Sequence, residues 1–201
     1  MKKKLLIILF FIGLNSNAQM SFTNSSGDNK WTTPSNWSSG SVPTSTSNVT
    51  ISSGQIVKAD NTTDALVNNI TIDSGGILTI EHNSKLTVSG DFTNNGTVTL
   101  NSDTDEFASI IVEGTSSGNI TYNRYVNIAV DNGSNEWDLV GSPVDGLSIS
   151  SFIVDNSSNL ANNGSGTYAL GSYDNSNDSW TNYTTSSAGG AGDLTLGKGY
   201  Q

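Results

Sequence analysis

The sequence predicts an all-β protein: a short right-handed parallel β-solenoid with three strands per coil of about 20 residues, followed by a partial β-sandwich-like unit. Three observations carry this expectation. Apolar residues alternate with mostly Thr, Asp or Asn at Val49/Ile51, Ile70/Ile72, Leu78/Ile80, Leu86/Val88, Val98/Leu100, Ile110/Val112, Ile120/Tyr122 and Val126/Ile128/Val130. That is the period of a strand with one buried face. Clusters such as Ser74-Gly75-Gly76, Ser89-Gly90-Asp91 and Asn94-Asn95-Gly96 separate the runs with residues that tolerate positive φ in turns. Finally, NVTISSGQIV at 48–57 returns as NITIDSGGIL at 69–78, 21 positions later.

The repeat continues beyond one echo. Ile51, Ile72, Phe92 and Val112 form one series, Val57, Leu78, Val98 and Ile120 a second, and Leu66, Leu86, Phe107 and Ile128 a third, each with steps of 20 to 22 residues. Three parallel series imply three strands per coil, each coil stacking its apolar positions on the next to bury a core that no single coil makes alone. A meander sandwich is the alternative, but it requires no fixed three-strand period.

The elements follow in order. Residues 1–18 combine Lys2, Lys3 and Lys4, an apolar run over 5–14 and the small residues Ser16-Asn17-Ala18, the pattern of a signal peptide. The apolar run is shorter than the roughly twenty residues a spanning helix needs, so no integral membrane segment is expected in the mature chain. Residues 19–47 are expected to close the open end of the first coil with Trp31 and Trp37. Residues 48–130 are the solenoid, and 131–201 a second, incomplete all-β unit. Within it, GTYALGSYDNSNDSWTNYT at 166–184 reads as a hairpin.

Composition excludes several functions. Loss of the signal segment removes three of eight basic residues and none of the eighteen acidic ones, taking the formal charge from -10 to -13. A chain this acidic, with no basic patch, opposes nucleic acid through its own field. The absence of cysteine excludes disulfides, Cys-ligated zinc and thiol catalysis.

Candidate chemistry is sparse. His82, the one histidine, completes no triad or zinc site by sequence and is expected in a surface turn. Parallel β-helices include polysaccharide lyases, whose base would come from Lys58, Lys85 or Arg124 by residue type, but their phases along the coils do not bring them together. Asp103, Asp105 and Glu106 offer carboxylates for acid/base work in what reads as a solvated loop. Asp174, Asn175, Ser176, Asn177 and Asp178 place oxygen ligands at alternate positions, a candidate calcium loop without the sixth-position Gly and twelfth-position Glu of an EF-hand. No other cofactor is expected. Trp137, Trp180 and Tyr183 are candidates for stacking on sugar rings, against the alternative that they build the second unit's core. Thr97 and Thr99 suggest an ice-binding Thr-x-Thr array, which Thr50, Thr71, Thr79 and Thr87 do not sustain by spacing.

The stretches GDNKWTTPSNWSSGSVPTSTSNVTI, GNITYNRYV, EWDLVGSPVDG, SYDNSNDSWTNY and LGKGY together resemble the N-terminal region of large secreted surface proteins of the Bacteroidetes, of the type IX secretion class. The resemblance implies a repetitive β region, further modules and a C-terminal sorting domain. No sorting domain lies within the 201 residues, so the expectation is either that the chain is a fragment or that it does not leave the cell by that route. The combined expectation is a secreted or outer-surface, non-enzymatic spacer or adhesin-type scaffold of a Gram-negative cell, with extracellular glycans or surface proteins as partners. A carbohydrate-binding module is the first alternative and a β-helix lyase the second.

Overall fold

The computed structural model describes residues 19–60, 62–126 and 139–201. Residues 1–18, expected to be a signal peptide, and Ile128, Val130 and Trp137 lie outside the described residues. The chain divides into two units, one up to Tyr125 and one from Val126.

Among the described residues of the first unit, twelve short strands follow one another: β1 (Gln19–Ser21), β2 (Asn48–Ile51), β3 (Ile56–Ala59), β4 (Asp64–Val67), β5 (Asn69–Ile72), β6 (Ile77–Ile80), β7 (Lys85–Val88), β8 (Phe92–Asn94), β9 (Thr97–Leu100), β10 (Ser109–Val112), β11 (Ser116–Ser117) and β12 (Thr121–Tyr122). They assemble into three sheets, β1-β2-β5-β8-β11, β3-β6-β9-β12 and β4-β7-β10. Every pairing is parallel. Each coil therefore places one strand in each sheet, a parallel β-solenoid. The quoted repeat is structural: Asn48 pairs with Asn69, Ile56 with Ile77 and Asp64 with Lys85, all at the same offset.

Strand alternation explains the core. Val49, Ile51, Val57, Val67, Ile70, Ile72, Leu78, Ile80, Leu86, Val88, Val98 and Leu100 are buried in one continuous cluster. Each large aliphatic removed from water there contributes about 1.5–3 kcal/mol.

Two of the three expected ladders are corrected by the register. Ile51 and Ile72 do stack, but the next inward residue beneath them is Asn94, while Phe92 lies under Ile70. Val112 belongs to the third sheet, beside Val88. There the inward column is Ala65, Leu86, Ile110, whereas Leu66 and Phe107 face solvent. The physical reason is variable coil length. An excursion closed by the antiparallel Ser102–Phe107 bridge lengthens the third coil, and in the Leu66-Val67 pair only one residue can point inward.

Buried Asn94 is satisfied at both ends. Its Nδ2 donates to the Asn119 carbonyl and its Oδ1 accepts from the Gly96 amide at 3.0 Å. The coil corners carry polar ladders. The Asn68 and Asn69 side-chain carboxamides donate to Asn48 Oδ1, the Asp91 backbone amide donates to Asn69 Oδ1 at 2.7 Å, and the Asp91 carboxylate accepts from the Thr115 backbone amide and hydroxyl. Those Thr115 donors hold the Asp91 carboxyl below its ordinary range. At another corner, Asn101 donates to Glu81 and Asn123 to Asn101.

The N-terminal segment extends two sheets. β1 adds a strand to the first, and Lys30 bridges Lys58 in the second. Trp31 and Trp37 are 1% and 2% exposed and pack edge to face, with Phe22 against Trp37. Trp37 Nε1 donates to the Trp31 carbonyl at 2.7 Å, while Trp31 Nε1 is buried with no hydrogen-bond partner among the described residues. Asp28 ties the segment together. It accepts from the Lys30 amide, the Thr33 and Ser26 hydroxyls and the Asn36 carboxamide, donors that push its carboxyl far below the usual range.

The described residues of the second unit form a four-stranded antiparallel sheet with two short helices. In chain order it comprises β13 (Val140–Gly141), α1 (Ile149–Asp155), β14 (Thr167–Asp174), β15 (Ser179–Thr184), α2 (Thr185–Ala188) and β16 (Gly199–Tyr200). The sheet order is β13-β16-β14-β15. Helix α1 starts at Ser148, whose hydroxyl accepts from the Ser151 amide, and Ile149 and Ile153 at i and i+4 give it a buried face. These residues cluster with Leu170, Ala188, Leu194 and Tyr200.

Candidate functional site

The residues singled out by chemistry are placed individually. His82 lies close to the acidic loop of the next coil, its Nδ1 3.0 Å from Asp103 Oδ2 and 3.7 Å from Glu106 Oε2. This proximity is a tertiary product of coil stacking. The Asp103 carboxylate also accepts from the Asp105 and Glu106 amides, which lowers its pKa. It is thereby an acceptor that fixes the loop and a poor proton donor near neutral pH. No cluster of three His, Asp or Glu side chains suited to a metal ion occurs among the described residues.

The three lyase-type cations sit in separate contacts. Lys85 is 3.1 Å from Asp64, at a shallow recess that Phe107 also lines. Arg124 lies over the Phe107 ring, 4.5 Å from its centroid, a cation–π contact. Lys58 projects outward from β3.

The 174–178 loop is the turn of the β14–β15 hairpin. Asp174 Oδ1 accepts from the Ser176 amide and hydroxyl at 2.8 and 2.6 Å, and Asn177 donates to Asp174 Oδ2 at 2.6 Å. These bonds lower the Asp174 pKa, led by the Ser176 hydroxyl. Asp178, at φ 51°, accepts from the Tyr173 hydroxyl, which raises the Tyr173 pKa. The oxygens expected as calcium ligands at Asp174 and Asp178 are thus engaged in holding the hairpin turn, and Asn175 lines the adjacent groove.

That groove is an open concave surface among the described residues of the second unit. It encloses about 530 Å³ between Leu139, Tyr173, Asn175, Trp180, Lys198 and Gly199. Strand pairing builds it: Tyr173 on β14 stands directly opposite Trp180 on β15, with ring centroids 5.2 Å apart at 63°. Both remain substantially exposed, at 36% and 38%. Tyr183, three positions after Trp180, points to the other face and packs on the core with Leu170 and Ile153. The aromatic partner of Trp180 is therefore Tyr173. Counting outward from the polar turn would have paired the two in the sequence; Lys198, some twenty residues away, carried no such signal.

The fold and groove define a class: a parallel β-solenoid that carries an antiparallel β unit with an exposed aromatic pair. The chain belongs to the family described as domain of unknown function DUF8693, whose model matches residues 22–201. No curated protein and no solved structure matches it.

Proposed function

We propose that the protein is a secreted, surface-exposed scaffold whose solenoid acts as a stiff spacer for the antiparallel unit, without catalytic activity of its own. The observation that carries this reading is the single apolar cluster running from Met20 in the first strand to Leu100 and Ala108 in the later coils. A core continuous through stacked coils resists bending, because deformation must open several parallel ladders at once. The outward columns support it too. Ser21, Thr50, Thr71, Thr93 and Ser117 stand side by side across the first sheet, a hydroxyl surface suited to water. The signal-type segment at residues 1–18 supports export. The test is protease shaving and surface labelling of intact producing cells. Recovery of peptides from both units at the outer surface is expected, and retention of the whole chain in the cytoplasm overturns the proposal.

A further inference from the structure

We propose that the Tyr173–Trp180 groove is a binding site for a carboxylated sugar, a uronic acid residue within a glycan chain. The inference stands independently of the spacer reading, since it rests on the second unit alone. Two aromatic side chains paired across a hairpin on its outer face leave apolar ring surface in water, and a pyranose offers a matching apolar C–H face. The groove volume falls within the range that small-ligand sites occupy.

Charge selects among sugars. Lys198 is the only Lys or Arg from Val126 to Gln201, a stretch otherwise rich in Asp, and it lines this groove. No carboxylate lies within ion-pair distance of it among the described residues. Instead its Nζ sits 5.5 Å from the Tyr200 ring centroid. An ammonium with no carboxylate partner among the described residues, beside exposed rings, fits a ligand with an apolar face and one carboxylate per ring, whereas the acidity of the unit opposes a denser polyanion. The Asn175 carboxamide supplies a donor and an acceptor for hydroxyls. The site is held in advance of binding: the Tyr173 hydroxyl is anchored on Asp178, and Asp174 locks the turn between the strands.

The test titrates the purified protein with tetragalacturonate, tetramannuronate and neutral maltotetraose, read by tryptophan fluorescence and calorimetry. Saturable binding of at least one uronate, stronger than that of the neutral oligomer and weakened by salt, is expected. Trp180→Ala should lower that affinity about tenfold or more, and Lys198→Gln should bring it down to the neutral level and flatten its salt dependence. Far-UV circular dichroism checks that both variants fold. If Trp180→Ala disturbs the hairpin, the exposed Lys198→Gln decides alone, and an unchanged uronate affinity overturns the proposal. Absence of binding to either uronate, equal affinity for maltotetraose, or full affinity in a folded Trp180→Ala protein overturns it as well.

Discussion

Adding one methyl group at Gly96 tests how closely the coils are stacked. A Cβ there would fall 2.5 Å from the Asp73 carbonyl oxygen, closer still to that of Gly76, and 2.8 Å from Ile72 Cγ2. All the oxygens are backbone, so no flexible side chain can swing away. Both carbonyls are also in use, Asp73 O accepting from the Gly76 amide at 2.8 Å and Gly76 O from the Thr97 amide at 3.0 Å. Relief of the clash requires separating two coils by most of an ångström. Overpacking costs about 1–3 kcal/mol, and weakening two hydrogen bonds adds about 0.5–1.5 kcal/mol each at most. A loss of about 3 kcal/mol lowers the melting temperature of a unit of roughly a hundred residues by about 10–15 °C. A general Gly→Ala change at an unstrained, open site goes the other way, stabilising by about 0.4–1 kcal/mol through the unfolded chain. Gly189, at φ -64° with nothing within 4 Å of an added Cβ, is the internal control. Thermal unfolding followed by circular dichroism separates the two. A Gly96→Ala protein melting at or above the parent temperature would refute the stacking argument.

Asn94→Ala should destabilise the solenoid by about 1–3 kcal/mol, because it strands the Gly96 amide and the Asn119 carbonyl; urea unfolding with no change in midpoint would contradict this. The depressed carboxyl of Asp28 stabilises the fold above the unfolded aspartate pKa of about 4, and that contribution is lost as pH falls below it towards the folded value. The difference in melting temperature between the parent and Asp28→Asn should therefore be largest near neutral pH and shrink on acidification; a gap independent of pH would sink the assignment. A double-mutant cycle of Phe107→Leu and Arg124→Gln should give a coupling of about 0.5–1 kcal/mol for the exposed cation–π pair, and additivity within error would show the contact to be idle.

Much of the solenoid was legible because its strands obey two local rules. Period-2 alternation assigns Val49, Ile51, Leu78 and Ile80 to one face whatever the neighbours do, and turn residues mark the corners. Register was less legible. It depends on how many residues each corner consumes, and the Ser102–Phe107 excursion changes that number, moving Ile110 under Leu86 and leaving Phe107 outside at 53% exposure. Side choice fails in the same way at Leu66, where apolar neighbours compete for one inward position and the parallel ladder to Thr87 settles it. The helical turn at Ile149–Asp155 is too short for its apolar spacing to stand out, and its cap at Ser148 is visible only with the chain folded.

The groove divides along the same line. Sequence by itself determined a β hairpin with Trp180 on it, a polar turn after Tyr173, an acidic chain without cysteine and a repeat of about twenty residues, because each of these follows from neighbours a few positions apart. Tertiary structure decided that Lys198 joins the Tyr173–Trp180 pair, that Tyr183 packs on Leu170 and Ile153, and that His82 meets Asp103 from another coil. Those meetings depend on strand register and on which sheet edge each strand occupies. Such quantities are set by packing over the whole unit, and a residue's immediate neighbours in the chain do not encode them.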